Sequence, residues 1–148
     1  MRTWLFTWNP NRWGWDDLYN GYEEMICQIS QTGRAYATWS CGSNKSILEG
    51  DRIFLIRLGL EPRGIVASGF AASSVFEGPH WDVKRAKEGD ICRRIYVRFD
   101  KILNPSIDPI LSIEDLKLIS PTFCWSSQSS GIRIPNEIAE LIENNWKE

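Results

Sequence analysis

The sequence predicts an α+β domain built around one curved or closed mixed sheet of five or six strands, with about three helices at its edges. Short runs rich in β-branched and aromatic residues are separated by turn residues. No regular strand–helix–strand alternation occurs, and the segments with helical periodicity are few. At 148 residues the chain reads as a single domain over 1–148, large enough to bury a core without disulfides or metals.

The first strand is Thr3–Trp8 (TWLFTW), stopped by Asn9-Pro10-Asn11. Trp13 and Trp15 follow in a loop. Asp16 or Asp17 caps a helix to about Gln31, with Leu18, Tyr22, Met25, Ile26 and Ile29 on one face and Gly33 just beyond its end. A strand from Arg34 ends in Trp39-Ser40, and after a polar turn Lys45–Leu48 predicts one helical turn. Glu49-Gly50-Asp51 feeds the strongly apolar strand Arg52–Leu58, and a hairpin-like connection leads to Gly64–Ala72. Small residues in that strand predict close approach of another backbone or of a ligand.

Ser73–Gly89 reads as a long irregular loop, and loops of that length in compact domains are often functional. Ile91–Leu103 is the longest strand, with apolar Ile95, Val97 and Phe99 alternating with Arg94, Tyr96 and Arg98. Ser112-x-x-Asp115 opens a short helix as a capping box does. Phe123–Gly131 is a Ser-rich loop anchored by Phe123 and Trp125. Pro135 then opens a last helix to about Trp146 that packs Ile138, Leu141 and Ile142 inward.

The formal net charge is −2, so no overall basic field advertises a polyanion partner. The balance is uneven, however. Lys84, Arg85, Lys87, Arg93, Arg94, Arg98 and Lys101 face only Glu88, Asp90 and Asp100 in the same stretch, and the acidic Asp108–Glu148 segment offsets them. A solvated strand face explains that run as readily as a phosphate-binding surface.

Four cysteines stand far apart with no CxxC, and His80 has no cysteine near it, which argues against a structural zinc. No apolar run has membrane length and no secretory signal is recognisable, so a reduced cytoplasm with free thiols is the expected setting. No membrane partner, cofactor or metal is expected. Walker A, GxSxG, HExxH and GxGxxG motifs are all absent, and no serine or cysteine is specified as a partner for His80. Recognition is therefore expected rather than catalysis.

Eight tryptophans are the unusual feature. Trp4, Trp8 and Trp146 read best as core. For Trp39 and Trp81, core and binding wall stay open as alternatives. A Trp followed at once by Ser where a strand meets a loop offers a stacking face beside hydrogen-bonding groups, as an extruded base needs. An Asn such as Asn9 carries both donor and acceptor and can read a base edge.

The series TWLFTWNP, ATWS, GDRIFLIRLG, PRGIVASGFA, HW, YVRFDKIL and SGIRIP, from Thr3 to about Trp146, resembles EVE domains of the PUA-like group, which includes YTH domains. The resemblance implies a PUA-like mixed β-barrel that accepts one flipped, modified base in an aromatic cage. The cage residues implied are Trp39 with Ser40, Trp81 and Asn9. Gln128 and Ser130, an amide and a hydroxyl before a glycine turn, are further candidates for hydrogen-bonding base or phosphate. Lys84, Arg85, Arg93 and Arg94 are expected on the flanking phosphates.

The partner implied is double-stranded DNA carrying a modified cytosine, 5-methyl or 5-hydroxymethyl, with modified RNA as the alternative. Domains of this form are similar to amino-terminal modules of bacterial modification-dependent restriction proteins, often followed by an HNH-type nuclease.

Overall fold

The computed structural model describes residues 1–11, 22–80, 82–127 and 129–146. Among these, one mixed sheet of eight strands carries four helices. The order along the main path is β2 (Ala35–Ser40), β6 (Ile91–Ile102), β4 (Gly64–Ala71), β3 (Arg52–Arg57), β1 (Thr3–Trp8), β8 (Ile132–Ile134). Two short strands lie off this path: β5 (Phe76–Pro79) on β6 and β7 (Leu111–Ser112) on β4. Among the described residues the sheet is not closed, since β2 and β8 end it without pairing with each other. The expected five- or six-stranded barrel is thus an open sheet with two extra short strands.

β3 runs parallel to β1 and antiparallel to β4, so it is flanked on both edges and covered on both faces. All six of its residues are buried, as the continuous apolar run IFLI requires, and the arginines at either end are buried with it. Alternation sorts its side chains into two cores. Ile53 and Leu55 join Trp4, Phe6, Trp8 and Trp39 on the inner face, with α1 (Tyr22–Thr32) packing Met25 against them. Phe54 and Ile56 join Leu5, Trp125 and Trp146 on the outer face, beneath α3 (Ile113–Ile119) and α4 (Asn136–Trp146). Fully burying a side chain such as Phe54 stabilises the fold by about 1.5–3 kcal/mol.

Ser112 caps α3 as the sequence indicates, its hydroxyl accepting from the Asp115 N–H at 3.2 Å. The last helix begins at Asn136, and the Pro135 carbonyl accepts from Ala139 N–H. Trp4, Trp8 and Trp146 are core. Lys45–Leu48 forms no helical turn. Inside the segment read as one irregular loop lie β5 and a five-residue helix, α2 (Val83–Lys87), capped by Asp82. The start of the first helix, with Trp13, Trp15, Asp16 and Asp17, lies outside the described residues.

Candidate functional site

The centre of the site is Thr7, one residue before the end of β1. β8 pairs with β1 only from Thr3 to Leu5, so beyond Leu5 that edge of β1 has no strand partner. Side chains complete it instead. The Thr7 N–H donates to Ser130 Oγ at 3.0 Å, and the Thr7 carbonyl accepts from Trp39 Nε1 at 3.2 Å. Thr7 Oγ1 donates to the Ser127 carbonyl at 3.2 Å. Two candidates from distant parts of the chain, Trp39 and Ser130, therefore meet on the backbone of one residue, Thr7.

The turn after β2 closes against the same loop. Asn44 Nδ2 donates to the Gly131 carbonyl at 2.6 Å, and the Gly131 N–H donates to the Leu5 carbonyl at 3.0 Å. Gly131 has φ +79°, and a Cβ there would stand 2.7 Å from the Cys41 carbonyl, so only glycine lets the two segments meet this closely. Burial pushes the Cys41 thiol up to about 11, which leaves it a packing residue rather than a nucleophile.

Trp39 is 5% exposed, with its ring edge-on to Phe99 at 6.2 Å between centroids. Its N–H is committed to Thr7, so what it can offer a ligand is a ring face rather than a donor. Ser40 follows on the opposite face of β2, in register with Arg94, and its Oγ accepts from the Gly42 N–H at 3.5 Å. The dipeptide thus does not present ring and hydroxyl to one side. Asn9, just past β1, accepts from the Asn11 N–H at 3.0 Å, while Asn11 Nδ2 donates to the Gly59 carbonyl at 3.0 Å. A Cβ at Gly59 would collide with the Asn9 amide, so a glycine is what lets Asn9 sit against the end of the β3–β4 connection. Trp81 and Gln128 lie outside the described residues.

The four basic candidates gather on the lobe made by β5, α2 and the start of β6. Lys84 and Arg85 are exposed on α2, and Arg85 pairs with Asp90 at 3.0 Å, a solvated contact of little energetic weight. Arg93 lies across from Glu77 in the β5–β6 register. Arg94 donates to the Pro79 carbonyl at 3.1 Å and to Thr38 Oγ1 at 3.4 Å, which ties its guanidinium to β5 and β2. The β2–β6 register places Arg94 beside Ser40 and Ile95 beside Trp39, so this lobe borders the Trp39 end of β2.

Three features were not singled out from the sequence. Thr7 joins Trp39 to Ser130 through contacts more than thirty residues apart in sequence. Arg57 is buried beside Trp8. The outward face of β2 and β6 carries Tyr36 and Tyr96, 50% and 49% exposed, with Phe76 stacked on Tyr96 at 5.2 Å and Arg98 over Phe70. The alternation of β6 was visible in advance, but not which strand would bring Tyr36 beside it. A separate groove of about 530 Å³, lined by Lys101, Leu103, Leu118 and Trp146 among others, contains none of the candidate residues.

Solved structures share this architecture along almost the whole chain. Human THYN1 in complex with 5-methylcytosine containing DNA matches with a TM-score of 0.65 at 13% identity, covering 100% of this chain and 99% of that one. A hypothetical protein from Leishmania major matches at 0.66 and 14%, covering 99% and 96%. A mutant of the ASCH protein from Zymomonas mobilis matches at 0.59 and 9%, covering 97% and 98%. The fold is PUA-like. At these identities the likeness concerns the PUA-like architecture itself. Neither a family model nor any curated protein matches the chain in sequence. Among the described residues of this PUA-like chain no helix is long and apolar enough to cross a membrane, and no three His, Cys, Asp or Glu residues are placed to hold a metal ion.

Proposed function

We propose that the chain is a reader of a modified base, a 5-methyl- or 5-hydroxymethylcytosine extruded from duplex DNA. The observation that carries this reading is the convergence of Trp39, Ser130 and the end of β1 on Thr7, bordered by the basic lobe. It is supported by the sharing of the whole fold with human THYN1, a protein solved with 5-methylcytosine DNA. Trp39, Ser130 and Asn9 line the base site, with Trp81 and Gln128 as further members, while Ser40, on the other face of β2 in register with Arg94, faces the phosphate side. Lys84, Arg85, Arg93 and Arg94 hold the flanking phosphates. Such a module would direct a modification-dependent restriction system, with the nuclease on the same chain or on a partner. Its own role is recognition rather than catalysis.

Because Trp39 is 5% exposed, a base reaches its face only by displacing a neighbour. Stacking contributes on the order of 1–3 kcal/mol per base, enough to offset a modest displacement. Modified RNA is the second reading. Tyr36 and Tyr96 favour it, since half-exposed rings beside Arg94 and Arg98 form the kind of platform on which unpaired bases stack.

A binding panel at fixed salt tests both readings, using unmodified, 5-methyl- and 5-hydroxymethylcytosine duplexes and matched RNA strands. Preference for a modified duplex by about tenfold or more is expected, and Trp39→Phe should remove most of it. Phe is the informative change, because Trp39→Ala would also cost about 3–5 kcal/mol of folding stability at a core position. Equal binding to all duplexes would sink the proposal, and preference for the RNA strands would select the second reading.

A further inference from the structure

Arg57, the last residue of β3, is only 9% exposed. It is in register with Trp8 of β1, and its guanidinium carbon stands 5.5 Å from the Trp8 ring centroid. Among the described residues no carboxylate lies within ion-pairing distance of it. Its Nε is the one buried side-chain nitrogen or oxygen of those residues with no hydrogen-bond partner. A buried guanidinium nitrogen with no partner is costly, and native structures rarely keep one without a reason. Trp8 follows Thr7, whose carbonyl holds the Trp39 indole, so Arg57 lies at the same end of the inner core as the proposed base site.

We propose that Arg57 is the group that identifies the extruded base, by donating two parallel N–H bonds to a base edge that offers two adjacent acceptors. This rests on the base-reading function above. Its place over the Trp8 ring and its low exposure restrain the fork, and a fork so restrained admits a flat edge more readily than a tetrahedral, hydrated phosphate. Cytosine presents such an edge in O2 and N3, whereas thymine has a donor at N3. O2 and N3 lie across the ring from C5. Arg57 therefore separates cytosine from thymine, the other pyrimidine that can carry a 5-methyl group, and another wall senses what is attached at position 5.

Single-stranded oligonucleotides remove the cost of unpairing and provide the test. Each carries 5-methylcytosine, thymine or an abasic site at one central position, so the first two share their methyl group and differ at the edge in question. The wild-type chain is expected to bind 5-methylcytosine at least about tenfold more tightly than thymine, the discrimination of a bidentate pair. Arg57→Met should bring the two within about twofold and leave the abasic oligonucleotide unaffected. Arg57→Lys keeps the charge but loses the fork, so it should lose the discrimination as well, and it decides the matter if the Met variant fails to fold by circular dichroism.

A wild type that binds methylated and abasic strands alike overturns the base-reading function itself. A wild type that discriminates, with Arg57 variants that discriminate equally, overturns the Arg57 assignment alone. So does a wild type that prefers a base to an abasic site but treats 5-methylcytosine and thymine alike. An equal loss on all three strands, abasic included, would place Arg57 on a phosphate and overturn it too.

Discussion

Arg52 and Arg57 open and close the same buried strand, on opposite faces of the sheet, and their surroundings treat them in opposite ways. On the outer face Arg52 donates to Asp100 at 3.0 Å, to Glu143 of α4 at 2.9 and 3.2 Å, and to the Gly69 carbonyl at 3.3 Å. It also stacks between Phe54 and Phe70. Asp100 in turn accepts from Ser68, whose oxygen accepts from Trp146 Nε1 at 2.8 Å, so the network ties β3, β4, β6 and α4 together. On the inner face Arg57 has a ring beneath it and no carboxylate among the described residues beside it. A buried charge that is fully paired holds elements in place. One left unpaired is a cost to the free protein that a ligand can relieve.

Breaking the paired side should have the largest effect. Arg52→Met strands Asp100 and Glu143 and detaches α4 from the sheet, and a loss of about 3 kcal/mol is expected by urea denaturation, near the lower end for a broken buried pair because both carboxylates are partly exposed. A loss below about 1 kcal/mol would show the network to be ornamental.

An intermediate case sharpens the contrast. Asp51, beside Arg52, is also buried, and burial by itself would raise its carboxyl. The Leu48 N–H at 3.0 Å, the Trp4 indole at 2.9 Å, the Arg2 N–H and the Arg2 charge outweigh that and hold it below its ordinary value. Asp51→Asn should cost about 1–2 kcal/mol at neutral pH. A carboxyl depressed in the folded state stabilises fully above the unfolded value of about 4, and that contribution is lost as pH falls through the folded value. The gap between wild type and variant should therefore be widest above pH 4 and close at lower pH in an acid titration followed by circular dichroism. A gap that widened with acid would contradict the assignment.

The smallest effect on stability should come from the unpaired side. Arg57→Met removes a desolvated charge and keeps a long apolar chain over Trp8, so the melting temperature should stay level or rise by a few degrees. A drop comparable to that of Arg52→Met would mean Arg57 is held by contacts as strong as those of its counterpart.

Much of the fold was legible because local and long-range signals agree. β1, β3, β4 and β6 are apolar or alternating runs bounded by turn residues, and Ser112 and Pro135 mark their helices. β5 was not legible. Phe-Glu-Gly-Pro has no strand pattern and exists because the start of β6 extends far enough to pair with it. α2 buries none of its residues and leaves no periodicity to read. For the candidate site, Trp39-Ser40 and Ser130 stood out by chemistry, but the residue that joins Trp39 to Ser130 did not, since Thr7 looks like any strand threonine. Arg57 was hidden for a similar reason. An arginine closing an apolar strand just before Gly59 reads as the point where the chain re-enters water, and only the register with Trp8 shows that it does not.

The sheet stops short of closing, and what joins β2 to the segment before β8 is a clasp rather than a seam. The Asn44–Gly131 hydrogen bond does the joining directly, and the Trp39–Thr7 and Thr7–Ser130 bonds do it by way of β1, each contributing about 1 kcal/mol net. A continuous ladder would have to be torn rung by rung. A clasp can be undone at one point while every strand keeps its neighbours, so this rim can loosen without the sheet coming apart.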